Sequence, residues 1–77
     1  MSRKFQDENF LVWEVYPSAS RFGLADKPSL IFNCLTDRQL RPRILGFDGD
    51  EAGAERSIDR ASREQLVTLL HRSREIL

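Results

Sequence analysis

The chain has 77 residues, with 12 Lys and Arg, 12 Asp and Glu, one His and one Cys. This length fits one small domain. The net charge of zero argues against binding to nucleic acid or to anionic membranes, because both kinds of binding draw on an excess of positive charge. A single Cys excludes an internal disulfide, and one Cys with one His cannot supply the four ligands of a structural zinc site.

The first nine residues are mostly polar and contain no apolar stretch of the kind found in secretory signals. We predict a flexible N-terminal tail over residues 1–9 and a single α+β domain over residues 10–77. The longest apolar run, Phe10 to Trp13, is too short to cross a bilayer. These features predict a cytoplasmic protein without a membrane partner.

Residues from Leu11 to Tyr16 alternate between two sides and are rich in β-branched and aromatic types, which predicts a first β-strand. Pro17 is expected to end this strand because it has no backbone N–H to donate. The segment from Pro17 to Pro28 contains several residues that favour turns, and it is predicted to be a long loop.

A second strand is predicted from Ser29 to Leu35, where both sides of the alternating pattern are largely apolar. Residues 36–39 are polar and suit a four-residue hairpin connection. A third strand is predicted from Leu40 to Phe47. Pro42 lies inside this strand, and it therefore favours a position at the edge of the sheet or at a bulge.

The acidic segment 48–57 is predicted to be a loop, since it shows no convincing periodicity. Residues 48–59 partly match a calcium-binding EF-hand loop, with Asp48, Asp50, Gly53 and Asp59 at the first, third, sixth and twelfth positions. Ala52 stands where the fifth position needs a ligand, so a solvated acidic loop is the favoured interpretation. Cation binding by this segment stays open, and no metal or cofactor is predicted.

The C-terminal segment shows the clearest pattern in the chain. Ser62 and Gln65 have the spacing of a capping box. An apolar stripe follows and predicts one amphipathic helix, with stripe residues Leu66, Leu69, Leu70, Ser73 and Leu77. The expected partners of this stripe on the sheet are Leu11, Trp13, Val15, Leu30 and Phe32. The predicted fold class is therefore α+β, a three-stranded antiparallel β-meander with one C-terminal helix packed on one face.

One helix covers only one face of such a sheet, so the other face is predicted to present apolar residues beside arginines. An apolar patch with a charged rim is typical of a protein contact. We therefore predict a small non-catalytic protein-interaction module that forms a homodimer or docks on a larger protein through this face. Pairing of the third strand with its own copy is a second route to a dimer. The predicted contact residues are Val12, Tyr16, Ile31, Leu35, Arg41 and Arg43.

The alternative function is nucleic-acid binding. Arg38, Arg41 and Arg43 cluster around the second hairpin, and with Tyr16 they have the chemistry to contact phosphates and to stack on a base. The same arginines also suit the protection of an edge strand. The balanced charge favours the protein-contact interpretation.

Cys34 and His71 are the only candidates for a nucleophile and its base. Covalent catalysis needs the two within hydrogen-bond reach of each other. Cys34 is predicted in the middle of a strand and His71 on the polar side of the helix. We therefore predict no catalytic residues.

Overall fold

The computed structural model of the chain describes residues 2–18 and 28–76. It shows an α+β fold in which an antiparallel sheet packs against two α-helices. The strands and helices in chain order are β1 (Arg3–Gln6), β2 (Val12–Ser18), β3 (Ser29–Cys34), β4 (Arg43–Gly46), α1 (Glu51–Arg60), α2 (Arg63–Arg72) and β5 (Arg74–Glu75).

The α+β class and the antiparallel sheet are confirmed, but the predicted numbers of strands and helices are wrong. The sheet has five strands in the order β1 to β5, so every strand lies beside its neighbours in the chain. Both helices lie between β4 and β5 in sequence. The prediction of three strands and one helix missed β1 and β5, which are short, and α1, whose acidic segment was interpreted as a loop.

Strand β1 lies within the segment that was predicted to be a flexible tail. Its residues pair antiparallel with β2, and Phe5 is directly opposite Trp13. Phe5 is buried and belongs to the hydrophobic core. Four residues with one apolar side chain carry no recognisable alternation, so the pairing partner, and not the local pattern, determines this strand.

Strands β2 and β3 follow the predicted alternation, but Pro17 lies inside β2 and pairs with Leu30. The N–H of Leu35 donates to the carbonyl of Val12 at 2.8 Å, so even-numbered residues of β2 exchange hydrogen bonds with β3. The nitrogen of Pro17 therefore points away from β3, toward the side of β1. Strand β1 pairs with β2 only from Val12 to Val15, so the missing N–H of Pro17 costs no hydrogen bond between strands. Most of the predicted loop from 17 to 28, residues 19–27, lies outside the described residues.

Strand β4 is shorter than predicted because it begins after Pro42. Arg43 is paired with Phe32 on one side and with Glu75 of β5 on the other. The carbonyl of Pro42 accepts a hydrogen bond from the N–H of Ile76 at 2.9 Å. Strand β4 was predicted to lie at the edge of the sheet, but β5 pairs with part of its outer side and forms the edge there.

Helix α1 replaces the predicted acidic loop. Asp50 is its N-cap and accepts a hydrogen bond from the N–H of Gly53 at 2.7 Å. Gly49 precedes the cap with φ of +149°, a conformation that side chains other than glycine rarely adopt. Ala54 and Ile58 are fully buried and lie one helical turn apart, so this helix contacts the core through a narrow apolar stripe.

Helix α2 confirms the predicted capping box, in which Ser62 and Gln65 bond each other's backbone N–H groups. Leu66 and Leu70 are buried as predicted, and Leu77 lies outside the described residues. Both helices pack on the same face of the sheet. The core cluster contains Phe5, Trp13, Val15, Leu30, Phe32, Ala54, Ile58, Leu66 and Leu70.

Candidate functional site

The face of the sheet that points away from both helices carries a row of apolar side chains. The register aligns Tyr16 of β2, Ile31 of β3 and Ile44 of β4, and Arg74 of β5 ends the row. Side chains directly opposite each other in a sheet project to the same side. We name this side the helix-free face, and it comprises Lys4, Gln6, Val12, Glu14, Tyr16, Ser18, Ser29, Ile31, Asn33, Ile44 and Arg74.

Burial differs along this row. Ile31 is only 4% exposed, although it lies outside the core cluster. Tyr16 and Ile44, its neighbours in the adjacent strands, are half-buried, as is Val12. The side-chain amide of Asn33 donates to the hydroxyl of Tyr16 at 3.4 Å, which orients the aromatic ring. Tyr16 and Ile44 therefore supply the accessible apolar surface of the row.

The helix-free face carries both signs of charge. Lys4 of β1 is directly opposite Glu14 of β2. Glu14 is half-buried and accepts a hydrogen bond from the hydroxyl of Ser2 at 2.9 Å. Arg74 lies at the opposite end of the face, beside Ile44. Positive and negative groups therefore flank the apolar row from different strands.

The structure brings together some of the predicted contact residues and separates others. Val12, Tyr16 and Ile31 lie on the helix-free face as predicted. Leu35 follows the end of β3 and is 42% exposed. Arg41 is exposed in the connection between β3 and β4.

The predicted position of Arg43 on this face is wrong. Its Nε donates to the hydroxyl of Ser73 at 2.9 Å, and its Nη2 donates to the carbonyl of the same residue. Arg43 therefore lies on the helix side of the sheet and holds the C-terminus of α2. The register pairs Arg43 with the buried Phe32, so both side chains project to the helix side. Ile44 pairs with Ile31 and is the apolar residue of the row, and the prediction missed it.

The arginines predicted for nucleic-acid binding do not form one surface with Tyr16. Arg38 and Arg41 are exposed in the loop after β3, and Arg43 is bonded to Ser73 on the helix side. Tyr16 lies on the helix-free face. A phosphate or a base would therefore contact these residues from different directions.

A second feature lies at one end of the sheet, where the β1–β2 and β3–β4 connections meet. We name residues 7–11 and 35–42 the sheet tip. Val12, which follows the first connection, donates its N–H to the hydroxyl of Thr36 in the second at 3.1 Å. Among the residues that the structure describes, the large hydrophobic side chains with substantial exposure are all on the tip, and they are Phe10, Leu35 and Leu40.

Asp7 organises the first loop of the tip. One carboxylate oxygen accepts from the N–H groups of Asn9 and Leu11, and the other accepts from the indole N–H of Trp13 at 2.9 Å. Burial raises the pKa of Asp7, but these hydrogen bonds and the nearby His71 outweigh burial and hold the pKa below its ordinary value of 3.8. The loop is therefore tied by an ionised, buried carboxylate.

A cavity of about 270 Å³ opens between the tip and the end of α2. At its rim, Nε2 of His71 lies 2.6 Å from a carboxylate oxygen of Glu8. This hydrogen bond lowers the pKa of the Glu8 carboxyl group, although both side chains are more than half exposed. We name this space the tip cavity, and its lining residues include Leu11, Trp13, Leu40, Arg41, Arg43, Leu70 and His71.

A larger concavity of about 570 Å³ lies along α1 and α2. Most of its lining side chains are polar and exposed, including Arg60, Glu64 and Thr68. It contains no residue from the predicted contact set. We therefore do not assign the function to it.

Cys34 and His71 have different partners in the structure. The sulfur of Cys34 lies 3.7 Å from the hydroxyl of Thr36, whereas His71 contacts Glu8. Within residues 2–18 and 28–76, no three His, Cys, Asp or Glu side chains are grouped as metal ligands. None of the helices in the same ranges is long and apolar enough to cross a membrane.

Comparisons of this chain with protein-family models, with curated proteins and with solved structures found no match.

Proposed function

We propose that this protein is a non-catalytic interaction module that forms a two-fold dimer through its helix-free face. The single observation that carries the proposal is the apolar row of Tyr16, Ile31 and Ile44, which runs across three strands on the side away from both helices. Contact between two such rows would bury apolar surface that the chain's own helices do not cover.

A second copy of the chain is the partner that the charges favour. A two-fold contact places the same face against itself, so each positive group needs a negative group on the same surface. Lys4 and Glu14 provide one such pair, whereas Arg74 has no acidic counterpart among the described residues of this face. The net charge of zero adds no overall repulsion between copies.

The size of the face predicts a weak dimer. Five strands at roughly 4.8 Å spacing and a longest strand of seven residues give a face of roughly 20 Å in each direction. This area is below the roughly 800 Å² per partner of a standard stable interface. We therefore expect the dimer to form at micromolar or higher concentrations.

Sedimentation velocity over a range of concentrations tests the proposal. The wild-type chain should move from its monomer mass of 8.9 kDa toward larger species as concentration rises. The variant Ile44→Glu should shift this transition to a concentration at least tenfold higher, because it places a carboxylate in the contact. Ile31 is less suitable for this substitution, since it is buried and a charge there would disturb the fold.

The matched control is Thr68→Glu, which adds the same charge to an exposed position of α2. It should associate as the wild type does, and circular dichroism should show all three proteins folded. A wild-type chain that stays monomeric up to millimolar concentration would contradict the proposal. Equal association of the Ile44→Glu variant and the wild type would contradict the assignment of the face.

We also retain a cytoplasmic location as part of this proposal. Its support is the single cysteine, Cys34, which is free in the structure and suits a reducing compartment.

A further inference from the structure

Phe10 combines two features that are each unfavourable in an isolated chain, an exposed aromatic ring and a strained backbone. Its side chain is 79% exposed, and its backbone has φ of +65°. Positive φ is uncommon outside glycine and is a clear outlier for a bulky side chain. Such strain is retained only where the surrounding structure enforces it, and it concentrates at functional sites.

The surrounding structure does enforce this conformation. The N–H of Phe10 donates to the carbonyl of Asp7, and the N–H of Asp7 donates to the carbonyl of Leu11. The Asp7 carboxylate fixes the residues on both sides of Phe10. The ring is therefore presented to solvent from a loop that is itself held rigidly, which lowers the entropy cost of binding.

The tip cavity begins directly beside this loop. Asn9 and Leu11, the neighbours of Phe10 in sequence, line it, whereas Phe10 does not. Leu11, Trp13, Leu40 and Leu70 give the cavity apolar walls. Its volume of about 270 Å³ exceeds the roughly 150 Å³ that accommodates a benzene molecule in an apolar protein cavity.

We propose that Phe10 of one copy inserts into the tip cavity of a second copy, and that the second copy's Phe10 does the same in return. An exposed ring and a cavity large enough for it lie on the same tip, so a two-fold axis satisfies both at once. The rim carries Glu8 and Glu75 together with Arg41, so it presents both signs of charge to a second copy. A rigid aromatic residue that fills a pocket is the usual anchor of a protein contact.

This contact goes beyond the dimer proposed above, because it uses a different surface. Two separate two-fold contacts on one small chain predict species larger than a dimer at high concentration. Loss of either contact should leave dimers formed through the other. The two proposals therefore fail independently.

The variant Phe10→Gly is the most informative test. It removes the ring, and glycine adopts the observed φ without strain, so the fold should be retained with an equal or higher urea midpoint. Sedimentation should show the wild type passing beyond the dimer mass, whereas the variant should stop at the dimer. Equal association of the variant and the wild type would overturn the proposal.

Trp13 provides a local readout, since it is the only Trp of the chain and lines the cavity. Its emission should change with concentration in the wild type and in Ile44→Glu, which keeps the tip intact. The emission of Phe10→Gly should not depend on concentration. Concentration-independent emission in the wild type would overturn the tip contact.

A mixing experiment tests the pairing of ring and cavity. Leu40→Glu places a carboxylate at the cavity wall and keeps Phe10, whereas Phe10→Gly keeps the cavity. Each variant alone should lose the change in Trp13 emission, and an equimolar mixture should recover part of it through one insertion. Leu35→Ala, on the tip but not lining the cavity, is the control and should behave as the wild type. Failure of the mixture to recover the signal would overturn the reciprocal arrangement.

Discussion

Two rows of side chains, one residue apart along the strands, lie on opposite faces of the sheet and have different surroundings. The helix-side row runs through Arg3, Val15, Phe32, Arg43 and Glu75, and the helix-free row runs through Tyr16, Ile31, Ile44 and Arg74. Both rows have an apolar middle and a positive end. They differ in what their side chains contact.

In the helix-side row, the apolar middle and the arginines all contact the helices or the core beneath them. Val15 and Phe32 are fully buried in the core. Nη1 of Arg3 donates to the carbonyls of Ile58 and Ala61 at 2.8 and 3.2 Å, at the end of α1. Arg43 bonds Ser73 at the end of α2 in the same way.

At the C-terminal end of each helix, the side chain of an arginine from the sheet therefore donates hydrogen bonds. The last carbonyls of a helix have no partners within the helix, and a positive charge there is favoured by the helix dipole. In the helix-free row, Arg74 is exposed and lies on the side of the sheet away from both helices. The position of an arginine within this sheet therefore decides whether it bonds the end of a helix or remains exposed.

The strongest test of this comparison replaces matched apolar residues in the two rows. Phe32→Ala should cost about 3–5 kcal/mol of unfolding free energy, because it leaves a cavity in the core. Ile44→Ala should cost about 1 kcal/mol, since its side chain is already half exposed. Urea denaturation at a concentration that keeps the chain monomeric measures both. Equal losses of unfolding free energy would contradict the conclusion that the helix side forms the core and the helix-free face does not.

A second test replaces the matched arginines. Arg43→Met should cost about 2 kcal/mol, because it removes two hydrogen bonds to Ser73 and leaves a buried hydroxyl and carbonyl with fewer partners. Arg74→Met should change the unfolding free energy by less than about 0.5 kcal/mol, as is usual for an exposed position. If Arg74→Met lowered the unfolding free energy as much as Arg43→Met, the bonds of Arg43 to the end of α2 would not explain its contribution to stability.

The third test concerns the pH dependence of stability that the buried carboxylate of Asp7 confers. This carboxylate accepts a hydrogen bond from Trp13, a helix-side residue of β2. The folded-state pKa of Asp7 is lowered below its ordinary value of 3.8. Its contribution to stability is therefore present above this value and is lost as the pH falls through the folded-state pKa. Asp7→Asn should cost about 1–2 kcal/mol at neutral pH, because it weakens the bonds to Trp13 and the loop.

Urea midpoints measured from neutral pH to below 3.8 check this dependence. The wild type should lose stability toward acid more steeply than Asp7→Asn does. Parallel pH profiles for the two proteins would show that Asp7 is not the group responsible.

The smallest effect is expected for the polar pair on the helix-free face. Tyr16→Phe removes a hydroxyl whose bond from Asn33 is long, at 3.4 Å. The loss in unfolding free energy should be about 0.5 kcal/mol or less, again measured by urea denaturation of the monomer. A loss above about 1.5 kcal/mol would mean that this face contributes to the fold as strongly as the helix side does.

The residues of β2, β3 and α2 could be assigned to faces from the sequence alone. Alternation of period two separates Trp13 and Val15 from Val12 and Tyr16, and the capping box marks the start of α2. These signals are local, so they do not depend on which strands are neighbours. The assignment of Val12, Tyr16 and Ile31 to the helix-free face succeeded for this reason.

Strands β1 and β5 had no local signal, because they are defined by pairing with β2 and β4. Helix α1 did carry local signals, since Asp50 caps it and Ala54 and Ile58 lie one turn apart, but its acidic residues and glycines were interpreted as a loop. Arg43 was placed on the wrong face because alternation within a strand does not show which of its two sides packs on the core. The pairing of Arg43 with the buried Phe32 decides this. Phe10 was missed because the loop conformation depends on the contacts of Asp7.

The most direct test of the central claim is a dilution series followed by NMR signals of matched residues in the two rows. If the helix-free face contacts a second copy, the Tyr16, Ile31 and Ile44 signals should shift with concentration in Phe10→Gly, where the tip contact is absent. The Val15 and Phe32 signals should remain constant. Shifts confined to Val15 and Phe32, or no shifts in either row up to millimolar concentration, would contradict the claim that one face forms the core while the other binds a second copy.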